Sequence, residues 1–182
     1  DDGRFAYTIV RKGDDTAPVV QDAAKELRNT MKDNFGCKVT LVKDDTFEDF
    51  AGNLEILVGE TNRKESNEAL KRLINNRPNH ADDFIVAVIG DKIAGICKGY
   101  KGKQEIDAKG AYINAVNDQM IPVAVEWFIS KFCQNFDTWA MLKSNYQFIY
   151  APVKSNTSVN VANENLGSFT VVLPRACSYV AA

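Results

Sequence analysis

Leu54-Glu55-Ile56-Leu57-Val58-Gly59-Glu60-Thr61-Asn62-Arg63-Lys64-Glu65-Ser66 holds the transition on which the fold turns. LEILV has the length and apolar content of a buried strand, and Gly59 ends it. Past a short polar stretch, Ala69, Leu70, Leu73 and Ile74 recur at helical spacing. Asn62 is placed to accept from the free N–H groups of a first helical turn, and Glu65, three residues on, to reach back to it. A strand passing into an amphipathic helix marks an α/β domain.

Toward the N-terminus, Phe5 to Arg11 (FAYTIVR) is rich in β-branched and aromatic residues and predicts a strand, closed by Gly13-Asp14-Asp15. Pro18 suits a first helical turn, and Val20, Ala23, Ala24, Leu27, Met31 and Phe35 form one apolar stripe up to Gly36. Cys37 to Val42 alternates as a strand does, and a polar loop, Lys43 to Asn53, leads into LEILV. Toward the C-terminus, Phe84 to Ile89 and Lys92 to Lys98 flank Gly90-Asp91, the spacing of a tight hairpin. Gly99 to Gln119, rich in Lys, Gly, Asp and Asn, predicts a loop of about twenty residues, long for a compact domain. Ile121, Ala124, Val125, Phe128 and Phe132 give a further helix, with Pro122 in its first turn. Beyond Asn135 only short strands are expected, at Tyr146 to Tyr150, Val159 to Val161 and Phe169 to Leu173.

The 182 residues suffice for one core with an appendage. Twenty-two basic residues against twenty-four acidic ones, with no basic block, leave a net charge of −2 and argue against nucleic acid as a partner. The longest apolar runs are strand-sized, so no membrane span is expected. The opening Asp1-Asp2-Gly3-Arg4 is expected of a mature or trimmed chain whose export signal is not visible. Cys37, Cys97, Cys133 and Cys177 are scattered, without a CxxC pair, and are expected to be free thiols. Gly3 to Val10 and Gly167 to Pro174 are similar Gly-led strands, the pattern of a second unit that stops where its helix would begin.

Little in the chain points to chemistry. His80 is the one histidine, set in a polar loop beside Asp82 and Asp83, with no second His or HExxH pattern to make a metal centre or a catalytic pair. Asp44, Asp45, Glu48 and Asp49 crowd one polar loop, where carboxylates ordinarily form a solvated surface. No catalytic, cofactor-binding or metal-binding residue is expected. Tyr100 and Tyr112 in the long 99–119 loop, with Trp139, Tyr146 and Tyr150 further on, are candidates for a sugar-stacking platform; most aromatics are core, only the loop pair is exposed by context, and Tyr100 and Tyr112 are the candidate ligand-binding pair.

Tyr7-Thr8-Ile9-Val10, Ala23-Ala24-Lys25-Glu26-Leu27, Glu55 to Ser66, Asp83-Phe84-Ile85-Val86, Gly90-Asp91-Lys92-Ile93 and Ala124-Val125-Glu126-Trp127-Phe128 follow one another in an order that resembles a known domain. It is the non-catalytic N-terminal α/β domain that precedes the barrel in β-N-acetylhexosaminidases (glycoside hydrolase family 20) and α-glucuronidases, also present in secreted bacterial proteins. The resemblance spans about residues 5 to 135. It implies an α+β fold: a mixed β-sheet with helices packed on one face, zincin-like without the metal centre. The expected organisation is then a hexosaminidase domain 2-like unit at 1–135 and a β-rich extension at 136–182, the start of a second repeat. The expected role is an accessory domain, without cofactor, of a larger extracellular or cell-surface, carbohydrate-processing protein. Its partners would be neighbouring domains of the same polypeptide. The alternatives are a carbohydrate- or protein-binding module using the 99–119 loop, with glycan as ligand, and a small hydrolase using the acidic loop.

Overall fold

The computed structural model describes residues 3–13, 16–46, 54–78, 80–89, 92–95, 104–107, 111–152 and 170–171. β1 (Arg4–Arg11) leads to α1 (Pro18–Phe35), whose Pro18 occupies the first turn and whose buried stripe is Val20, Ala23, Ala24, Leu27, Met31 and Phe35. Gly36, at φ 65°, ends the helix and donates its N–H to the Lys32 carbonyl. An L side chain adopts that conformation reluctantly, which is why glycine stands there. β2 (Lys38–Lys43) and β3 (Leu54–Val58) follow, and Gly59 turns the chain at φ 71° toward α2 (Lys64–Asn76).

β4 (Phe84–Val88) comes next, then the short β5 (Lys92–Gly95) and β6 (Gln104–Asp107), which pair with each other. β7 (Ala111–Ala115) precedes α3 (Ile121–Phe132), α4 (Phe136–Ala140) and β8 (Gln147–Tyr150). Six strands form a mixed sheet in the order β2-β1-β3-β7-β4-β8, and a two-residue strand, β9 (Thr170–Val171), lies parallel to β8 at the outer edge. β2, β1, β3 and β7 are parallel to one another, and only β4 runs against its neighbours.

Side chains alternate across this sheet and divide the core in two. Ile9, Ile56, Val58, Phe84, Val86 and Ile113 meet α1 and α3 on one face. Val10, Leu57, Ile85, Ala87, Tyr112 and Ile149 meet Ala69 and Leu73 of α2 on the other. Helices on one face only was the expectation, and α2 overturns it. The central strands are apolar on both sides, as strands covered on both faces must be, and a second helical layer is what covers them.

Three further expectations are corrected. Phe84 to Ile89 and Lys92 to Lys98 do not make a hairpin with each other, because β4 has β7 on one edge and β8 on the other, while β5 pairs with β6; Gly90 and Asp91 lie outside the described residues. The 99–119 segment is not one loop, since Ala111–Ala115 is a fully buried strand in mid-sheet. Helical structure does not stop at Asn135: that residue caps α4, its side chain accepting from the Thr138 N–H while the Thr138 hydroxyl accepts from the Asn135 N–H. Of the proposed second Gly-led strand, only Thr170 and Val171 lie within the described residues.

Candidate functional site

Parallel strands bring the chain out repeatedly at one edge of the sheet, and in open α/β sheets that carboxyl edge is where ligands are held. Here Arg11 is in register with both Lys43 and Val58, so the segments after β1, β2 and β3 emerge side by side. Asp44, 5 % exposed, stands between them. One carboxylate oxygen accepts the Gly13 N–H at 3.0 Å and the other the Asn62 N–H at 2.7 Å. Two backbone donors that a buried loop must satisfy are thus satisfied by one side chain.

The Asp44 carbonyl in turn accepts from the Asn62 amide at 2.9 Å and from Arg63 Nη1 at 3.2 Å. Asn62 therefore does not cap α2 as expected. The helix starts one residue later, with Arg63 at its cap position and no side-chain cap, because Asp44 and its carbonyl have claimed Asn62. Arg63 reaches over the sheet to Glu55, its Nε and Nη2 donating to the two carboxylate oxygens at 3.1 and 3.0 Å. Thr61 and Ser66 complete the turn: the Ser66 hydroxyl donates to the Gly59 carbonyl at 2.9 Å and accepts the Thr61 N–H at 3.1 Å. Asn114 of β7 ties in by donating to the Ser66 carbonyl at 3.0 Å.

Beside this closed network stand two groups that it leaves out. Glu65, in the first turn of α2, is 3 % exposed, and neither carboxylate oxygen has a hydrogen-bond partner. Lys64 Nζ is 3.7 Å away, too far for a hydrogen bond. Burial raises the Glu65 carboxyl above the ordinary carboxylate range, outweighing the pull of its own backbone N–H and of the Lys64 and Arg63 charges. The Tyr112 hydroxyl is likewise buried without a partner, and burial, helped by the Glu65 and Glu55 carboxylates, pushes its ionisation upward. The pair is a carboxyl that holds its proton longer than usual and a phenol that does not give its own up.

The sequence-predicted residues scatter. Tyr112, fully buried in β7, is no exposed sugar platform, and its partner Tyr100 lies outside the described residues. The five-residue strand that buries Tyr112 is flanked by polar sequence, which is what made it look like loop. Of the acidic loop, Asp44 is a structural clip and Asp45 is exposed, and Glu48 and Asp49 lie outside the described residues. His80 is partly buried between α2 and β4, and no group of three His, Cys, Asp or Glu residues suited to a metal occurs among the described residues. Cys37 and Cys133 are free thiols whose ionisation burial raises; Cys97 and Cys177 lie outside the described residues. Trp139 packs edge-on against Phe5 and Tyr7, and Phe84 stacks on Tyr150, so Trp139 and Tyr150 are partly buried against the core.

Sequence reading missed Glu55 with Arg63, and Glu65 with Tyr112. The signal for the first was a lone charge inside the apolar LEILV strand, which demands a buried counter-charge nearby. Among the described residues no helix is long and apolar enough to cross a membrane. Compared with known proteins, the chain matches no family model and no curated protein.

Proposed function

We propose that the chain is a non-catalytic accessory domain of a larger secreted or cell-surface, carbohydrate-processing protein, built on the zincin-like plan without a metal centre. One observation carries the reading: at the carboxyl edge, where a catalytic acid or base would stand, Asp44 is committed to holding the fold, and Arg63 reaches from beside it to Glu55 near the start of β3, so that both of those charges are committed as well. The block that most specifically resembles the domain in front of hexosaminidase and glucuronidase barrels, Glu55 to Ser66, is the block spent on this lock. A segment whose polar groups stabilise its own turn serves to present a rigid body to neighbouring domains of the same polypeptide.

The test has two arms. The isolated chain is offered aryl N-acetylglucosaminides and aryl glucuronides, and no turnover above buffer is expected. In the full natural polypeptide, deletion of residues 1–152 is expected to lower the melting temperature of what remains. Turnover by the isolated chain that Glu65→Gln abolishes would overturn the reading, as would a remainder indifferent to the deletion.

A further inference from the structure

Arg11 follows Ile9 on the face of β1 that looks toward α1, and it ends the strand beside Lys43. Between α1 and β2 there is a recess of about 220 Å³, lined by Arg11, Lys25, Arg28, Leu41, Val42 and Lys43. Four of its six lining residues are cationic and none is acidic, in a chain whose net charge is −2. An ordinary solvated charged face does not look like this, because Arg11 is only 9 % exposed.

The Arg11 guanidinium is braced from behind. Its Nη1 donates to the Lys12 carbonyl at 2.8 Å and to the Gly13 carbonyl at 3.3 Å, and its Nε and Nη2 have no acceptor among the described residues. The carboxylate that follows β2, Asp44, is committed to the Gly13 and Asn62 N–H groups. Arg28 rests on the neutral Asn29 side chain, and Lys25 on the exposed Asp22 at 3.1 Å. A held guanidinium with two free donors, backed by further cations, is the arrangement that receives an oxyanion in bidentate fashion. Leu41 and Val42 add a small aliphatic wall, suited to a carbon skeleton. Pockets for drug-sized ligands run to about 300–1,000 Å³, so this one is scaled to a smaller molecule.

We infer that the recess between α1 and β2 is a binding site for a compact oxyanion, a carboxylate or phosphate carried on a skeleton no larger than a single sugar ring. Arg11 is its fixed anchor; Lys25, Arg28 and Lys43 supply the surrounding positive charge.

Amide chemical-shift titration of the full chain at constant ionic strength tests this, with galacturonate, inorganic phosphate and neutral galactose as probes. Saturable shifts confined to the end of β1, β2 and the middle of α1 are expected with an anion and not with galactose. Saturation by galacturonate identifies an organic carboxylate as the ligand class; saturation by phosphate alone identifies a free oxyanion. The double change Lys25→Gln/Arg28→Gln, at one exposed and one half-buried position outside the core, is expected to weaken binding about tenfold. Arg11→Met is expected to abolish saturation. An equal response to galactose, absence of any saturable shift, or unchanged affinity in the Lys25→Gln/Arg28→Gln chain would overturn the inference.

Discussion

Arg63 and Glu55 face each other as a bidentate ion pair, eight residues apart in sequence, with side chains only 8 % and 6 % exposed. The pair spans the turn at Gly59, so one charge comes from the strand and the other from the residue that opens the helix. Removing one partner strands the other without solvent. Arg63→Met is expected to cost about 3–5 kcal/mol in urea unfolding, and Arg63→Met/Glu55→Leu to recover most of that loss. A double variant as unstable as the single one would mean that the pair's geometry, and not the stranded charge, carries the cost.

Glu65 gives a pH signature. Its carboxyl is raised by burial, so between the ordinary carboxylate range and the folded-state value the native chain holds a proton that the unfolded chain has released. Stability contributed by that proton is fully present at acid pH and is lost as pH rises through this window. Glu65→Gln is expected to remove the corresponding slope from a plot of unfolding free energy against pH, and to be more stable than the parent at pH 7. An unchanged slope would show that Glu65 titrates normally.

Tyr112 separates the buried reading from the sugar-platform one. Tyr112→Phe deletes a hydroxyl that has no partner and is expected to be neutral or to stabilise the fold by about 1 kcal/mol. Tyr112→Ala opens a cavity beneath α2 and is expected to cost about 3–5 kcal/mol, measured by the same unfolding curves. A surface tyrosine would tolerate both changes equally.

Gly59 and Gly36 share a left-handed backbone but not a neighbourhood. A Cβ at Gly59 would lie 3.2 Å from Val20 Cγ1, whereas nothing lies within 4 Å of one at Gly36. Gly36→Ala is expected to cost about 1 kcal/mol from backbone strain alone, and Gly59→Ala more, the difference reporting the contact with α1. Thermal melts of the two variants side by side measure it.

Local chemistry made part of this fold legible and competition hid the rest. α1 and α3 could be read to within a residue or two because Pro18, Pro122 and Gly36 punctuate strong apolar stripes. Asn62 looked like a helix cap because sequence shows what a side chain can do locally, not that Asp44, eighteen residues earlier, would take it. Gly90-Asp91 suggested a hairpin for the same reason: pairing is settled by which strands are buried together, and β4 found partners at both edges from later in the chain. α4 escaped notice because five residues carry too little periodicity, although Asn135 and Thr138 stood at capping spacing. Tyr112 and Glu65 could not be found by pattern, since only the third dimension shows that a tyrosine and a glutamate are enclosed together.

β7 sits between β3 and β4 although both precede it in the chain, pairing with β3 at Ile56 and Ala111 and with β4 at Phe84 and Ala115. The first three parallel strands therefore have no ladder bond to β4 until a later segment, β7, enters between β3 and β4 and closes both seams at once, with β8 added to the far edge of β4 afterwards. Assembly has to wait for a contact that reaches across more than fifty residues, and loop-closure entropy makes such a step slow and nearly all-or-none. A chain emerging from the ribosome would hold its front half ready, with one edge open, until Ala111–Ala115 arrived.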